Sequence, residues 1–131
     1  MPRRMTITTE ETQKYLTNIS YENMVVGWLM QDGWQVFRPV LDNGHKTDIL
    51  ISDGPNFYRI QVKTGQASGD EYLLENRWKD SDIDVVIFFA RNSNWGYVMP
   101  AFSENKRKIN AAGHQRFQEN KNDFLKAFHK L

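Results

Sequence analysis

"TDILISDGPNFYRIQVKTG", residues 47–65, reads as a β-hairpin: two strand-like runs, "DILIS" and "FYRIQVKT", around the turn "DGPN". The second run carries Arg59, Gln61 and Lys63 at alternate positions, so three long polar side chains share one face. A two-residue and a four-residue connection give the same antiparallel register. Ser52 then faces Phe57, Leu50 faces Arg59, and Asp48 faces Gln61. Opposed side chains on one face have Cβ atoms roughly 5 Å apart, and Lys63 follows two positions further along. A carboxylate, an amide oxygen and an ammonium are thereby gathered at one end of the hairpin.

Those groups suit phosphodiester hydrolysis. Asp48 offers hard oxygen ligands to a divalent cation such as magnesium. Gln61 adds an uncharged carbonyl oxygen. Lys63 can orient an attacking water and stabilise charge that develops on the scissile phosphate. A solvent-facing strand also alternates polar residues, so the hairpin by itself leaves a plain surface strand open. Glu22 adds weight. In "YENMVVGWLM", Val25, Val26 and Leu29 follow it at helical spacing and put it on or beside the apolar face. A carboxylate there is costly unless paired or bound to a cation. In the competing rotation, Tyr21, Met24 and Trp28 form the buried stripe and Glu22 stands at its margin.

Around the hairpin the chain reads as follows. "TTEETQKYL" starts a helix, with Thr8 and Glu11 spaced as a capping box. Ser20 caps a second helix, "YENMVVGWLMQDG", with Gly33 just past its end. "WQVFRP" is a short strand stopped by Pro39; "VLDNGHK" is a loop in which Asp42 is a turn residue. "EYLLENRWK" is consistent with either strand or helix. "DVVIFFA" is a continuous apolar strand, hence central, and "WGYVMP" pairs with it after the "RNSN" turn. The last thirty residues read as helical, with Phe117, Phe124, Leu125 and Phe128 as an apolar stripe.

Composition sets the outer limits. At 131 residues, 40% hydrophobic and 25% charged, the chain is most simply one globular domain spanning residues 1–131. It has no cysteine, which excludes a disulfide framework, a thiolate metal site and a cysteine nucleophile. No apolar run is long enough to span a bilayer and the N-terminus lacks an apolar signal core, so a cytoplasmic protein without membrane contact is expected. Net charge is only +1, but residues 103–131 hold seven basic and three acidic side chains, a surplus suited to phosphates or to a solvated helix face. His45, His114 and His129 are too scattered for a zinc site. His45, although near Asp48, reads as a plain loop residue. Trp28, Trp34, Trp78 and Trp95 read as core. Arg59 on the site face is the first phosphate-binding candidate outside the hairpin trio and Glu22. Lys46 and Arg77 follow.

Glu22 on a first helix, "GW" before a first strand, Asp48 opening a second and "QVK" closing a third together resemble the PD-(D/E)XK nuclease superfamily. Its small members are the most similar: archaeal-type Holliday junction resolvases and the compact bacterial PD-(D/E)XK endonuclease family. The latter admits Gln before the lysine, as does a homing endonuclease built on this fold. The likeness runs from about Tyr21 to Phe102 and takes in "DIDVVIFF" and "GYVMP" as a later strand pair. Pro39 stands nine residues before Asp48 and is not the motif's adjacent proline, and Gln61 replaces the commoner acid.

The resemblance implies an α/β restriction-endonuclease-like core, a mixed sheet of four to five strands flanked by helices with the site at one sheet edge. It implies metal-dependent DNA cleavage with magnesium, manganese substituting. Glu22, Asp48, Gln61 and the Val62 backbone carbonyl would hold the metal, and Lys63 would be the catalytic lysine. Thr64 occupies a position where the group often has a small hydroxyl residue, there to orient a neighbour. It joins Arg59, Lys46 and Arg77 as a candidate DNA contact. A domain of this size implies a homodimer or higher oligomer, and hence branched or junction DNA as substrate. Two rivals stand beside a junction resolvase: a homing or restriction-type endonuclease that reads bases, and a degenerate nuclease fold kept as a DNA- or protein-binding module.

Overall fold

The computed structural model describes residues 1–41 and 44–131. Asp42, expected in a turn, lies outside the described residues.

The first helix, α1, is one unbroken element, Glu10–Gln31, rather than two. Its N-cap is Thr9, whose hydroxyl accepts from the Thr12 N–H at 3.2 Å, and Glu10 and Glu11 lie in the first turn, where the helix dipole favours them. Thr8, one residue earlier, instead accepts from the Arg4 guanidinium. Ser20 does not cap a second helix. Its hydroxyl donates back to the Thr17 carbonyl at 2.6 Å, a bond that lets a serine sit inside a continuous helix. The C-terminus closes as a Schellman motif: Trp34 N–H donates to Leu29 O at 3.1 Å and Gly33 N–H to Met30 O at 3.0 Å. Gly33, at φ +99°, takes the left-handed position that this closure requires.

Strands β1 (Gln35–Phe37), β2 (Ile49–Ser52), β3 (Phe57–Gly65), β4 (Leu73–Glu75), β5 (Val85–Ala90), β6 (Trp95–Pro100), β7 (Lys106–Lys108) and β8 (Gln115–Gln118) follow, and helix α2 (Lys121–Phe128) ends the fold. Six of the strands form one mixed sheet in the order β1-β2-β3-β5-β6-β8, while β4 and β7 make a small antiparallel pair. The β2–β3 hairpin has the expected register, Ser52 opposite Phe57 and Leu50 opposite Arg59. Its turn is held by Asp53 Oδ1, which accepts from Asn56 N–H at 3.0 Å. Only β3 and β5 run parallel, joined by the long crossover that contains β4. The undecided "EYLLENRWK" segment thus supplies a short strand, with Leu74 buried between outward Leu73 and Glu75.

The last thirty residues are not a helical unit. They form β7, β8 and only eight residues of helix. Gly113, at φ +87°, turns the chain, and Phe117 then points inward from a strand paired with β6. Only Phe124 and Phe128 of the expected stripe are buried on the helix, which is capped by Asn120 accepting from Asp123 N–H at 2.9 Å. The extra strand comes from this segment.

Apolar layers pack on both faces of the sheet. On one face Tyr21, Val25 and Leu29 of α1 and Phe124 and Phe128 of α2 pack on Ile49, Ile51, Ile60, Ile87, Phe89 and Phe117. On the other, Leu74, Trp78, Ile83, Phe102 and Ile109 pack on Val86, Phe88 and Met99. Strand β5 is therefore buried on both sides, as its unbroken apolar run requires. The tryptophans pack as core or against it.

Candidate active site

The C-terminal half of β3 carries Gln61, Lys63 and Thr64 past the start of β2, and α1 crosses beside it. The three elements enclose a polar cavity of about 510 Å³. Lys14, Asn18 and Glu22 enter from α1, His45 and Lys46 from the loop before β2, Asp48 from the mouth of β2, and residues 61–64 from β3. Arg91, directly after β5, closes the far side. Lys14, Asn18 and Glu22 are spaced four apart, so one face of the helix presents all three. Glu22 is half-buried at the margin of the stripe formed by Tyr21, Val25 and Leu29. β3 lies between β2 and β5, so the cavity opens at the end of interior strands rather than on an edge strand.

Backbone and side-chain bonds hold the site together. Asp48 N–H donates to Ile60 O at 3.0 Å, and Val62 N–H donates to Asp48 Oδ2 at 2.8 Å. The Asp48 carboxylate is thus oriented by the strand that carries Gln61 and Lys63. The Thr64 hydroxyl donates to Asn18 Oδ1 at 3.0 Å and ties β3 to α1 one turn before Glu22. Arg91 N–H donates to Gly65 O at 2.8 Å, which anchors that arginine at the end of the β3–β5 pair.

Two residues lining the cavity each have a buried polar atom with no hydrogen-bond partner among the described residues: Gln61 Oε1 and Arg91 Nε. Gln61 is only 5% exposed. An amide oxygen left this way costs about 1–3 kcal/mol, a cost that a cation would remove. The donor set fits a hard divalent ion of the magnesium kind, which takes one or two carboxylates and completes its shell with water and phosphate oxygen. Among the described residues there is no cluster of three or more His, Cys, Asp or Glu.

The cavity thus brings together Glu22, Asp48, Gln61, Val62, Lys63, Thr64 and Lys46, all of them singled out by the sequence. Arg59 lines a neighbouring cavity of about 270 Å³ with Phe37, Arg38 and Leu50; His45 borders both. Arg77 lies outside both cavities and pairs with Glu75 at 2.7 Å. Sequence reasoning missed Lys14, Asn18 and Arg91. The first two were legible as positions four and eight residues before Glu22 on one helix. Arg91 had no local signal, because only the parallel β3–β5 pairing brings it there.

The mixed six-stranded sheet flanked by helices has an endonuclease-like fold. The chain superposes on the solved structure of a bacterial homing endonuclease, I-Ssp6803I, with a TM-score of 0.56 and 17% identity, over 87% of this chain and 78% of that one. No family model matches the sequence, and no curated protein does. The likeness is one of fold. No helix among the described residues is long and apolar enough to cross a membrane.

Proposed function

We propose that the chain is a divalent-metal-dependent DNA endonuclease that hydrolyses phosphodiester bonds in the cavity between α1 and the β2–β3 hairpin. The observation that carries this reading is the convergence of Glu22, Asp48, Gln61 and Lys63 on one cavity, with the Gln61 amide oxygen buried and lacking a donor among the described residues. Glu22, Asp48, Gln61 Oε1 and the Val62 carbonyl would hold magnesium or manganese. Bound there, the ion would polarise the scissile phosphate and make a ligated water more acidic. The protein's own groups do the rest. The Val62 N–H keeps the Asp48 carboxylate turned toward the site. Lys63 faces the cavity and stabilises charge that grows on the phosphate oxygens in the transition state. Lys14, Lys46 and Arg91 add three more cations to a cavity with two carboxylates, a balance that favours a polyanionic strand.

Branched DNA, a four-way junction first, is the substrate class we place ahead of a defined duplex; the superfamily likeness of the sequence supports it. Two copies acting on one DNA belong to the same reading.

The test is a panel of junction, duplex and single-stranded DNAs with magnesium or manganese. Asp48→Asn keeps an oxygen for the Val62 N–H but removes the charge, so cleavage should fall by about two orders of magnitude or more. DNA binding should persist or tighten, because a negative charge facing phosphate has gone. Lys63→Ala should abolish turnover while metal binding remains. If the wild type cuts no DNA with either metal, and Asp48→Asn binds DNA no differently, the protein is a binding module on a nuclease fold.

A further inference from the structure

The second apolar layer does not extend over the whole sheet. Its residues from the six-stranded sheet, Val86, Phe88, Ala90, Tyr97 and Met99, all come from β5 and β6. On the same side, Phe37, Leu50 and Arg59 stand in register across β1, β2 and β3, and Phe57 lies two positions before Arg59 on the same face of β3. Phe37 and Phe57 are 37% and 57% exposed, and their rings lie 6.3 Å apart at 41°. Arg59 lines the neighbouring cavity with Phe37, whereas the Arg38 guanidinium bonds Asn23 of α1. No carboxylate lines this cavity among the described residues, and His45 forms a wall common to it and the candidate active site.

Resting on the nuclease reading above, we propose that this open face seats an unpaired nucleobase next to the scissile phosphate. Phe37 and Phe57 would stack on the base, and Arg59 would hold a flanking phosphate. Arg59 precedes Gln61 by two positions on one face of β3, so a strand leaving the catalytic cavity passes over it. Phosphate contact alone would need only the arginine; two exposed aromatic rings call for a ligand with a π face, which a paired and stacked base does not offer. A second copy of the chain fits less well. A twofold contact through this patch would bring both copies of Arg59 onto one interface, with no carboxylate among the residues lining the cavity to offset them. The site selects DNA with single-stranded character beside the cut, as at an open junction centre or a flap.

The experiment is fluorescence anisotropy without metal, using a labelled oligo-dT of about 12 nucleotides and a blunt duplex of equal length. Phe57→Ala and the Phe37→Ala/Phe57→Ala double variant should bind the oligo-dT about tenfold or more weakly and leave duplex affinity nearly unchanged. Phe57→Trp should restore binding. Arg59→Ala should weaken both ligands and flatten the salt dependence. Both rings are exposed, so melting curves should match the wild type. Equal oligo-dT binding by wild type and double variant overturns the proposal, even if the protein cleaves duplex DNA normally. A change in molar mass by light scattering in the double variant also overturns it, because the face would then be a self-interface. Loss of oligo-dT binding in a protein that cuts nothing sustains the base seat and removes only the nuclease reading.

Discussion

Gln61 combines deep burial with an amide oxygen that no described residue satisfies. Gln61→Glu is therefore informative beyond activity. A carboxylate buried there costs stability unless a cation meets it. The variant should lose about 1–3 kcal/mol without metal, regain it in magnesium, and cut at lower metal concentration than the wild type. Thermal melts with and without magnesium read the first two effects; an unchanged melt in both conditions argues against a cation at this position. His114 makes a second residue-scale case. Its Nδ1–H donates to the Ile109 carbonyl at 2.8 Å, and Nε2 is buried with no partner among the described residues. Burial holds its pKa below the usual imidazole range, against the opposing pull of the Ile109 carbonyl. The unfolded ring takes a proton near pH 6.5, the folded one only at lower pH. Stability from the neutral ring is complete above about pH 6.5 and is lost as pH falls toward the folded pKa. Chemical denaturation at pH 7.5 and 5.5 should show a smaller difference in His114→Gln than in wild type.

At the scale of elements, the sheet depends on the close approach of β5, β6 and β8. Gly96 pairs with Phe89 and Phe117, and a Cβ on it would lie 2.2 Å from the Phe88 carbonyl oxygen and 2.6 Å from the Phe117 ring. The backbone oxygen cannot yield. Gly96→Ala should cost about 1–3 kcal/mol or more, measured by chemical denaturation. The apolar stripe of the C-terminal segment was divided between a strand and a short helix for a related reason. Phe117 fills the space over β6 that a helix there would leave open, and Phe124 meets it edge-on at 5.2 Å. A strand of four residues with one inward aromatic has too few positions for period two to stand out from period 3.6.

For the molecule as a whole, on the proposed function one cavity would serve one phosphate, so symmetric cutting of a branched DNA would need two copies. Light scattering should show a dimer, free or on a four-way junction. A strict monomer in both states would remove the ground for placing junction DNA first while leaving single-site cleavage intact. The cations of the candidate site come from three separate parts of the chain: Lys14 from α1, Lys46 and Lys63 around the hairpin, and Arg91 after β5. A net charge of +1 conceals this local surplus, which arises from folding.

The hairpin register, its polar face, the Gly33 stop and the two-sided burial of β5 were all determined by the sequence alone. Each rests on local physics: turn geometry, alternation, a left-handed φ, or an apolar run with no polar face. The tertiary structure decided that α1 is continuous, that β8 is a strand, and that Lys14, Asn18 and Arg91 join the hairpin residues. It also decided that Gln61 is buried while Arg59, two positions away on the same strand face, is open. Alternation assigns the two residues to one side of β3. Whether that side is roofed depends on which distant segment packs there, and the crossover between β3 and β5 places its apolar layer over β5 and β6.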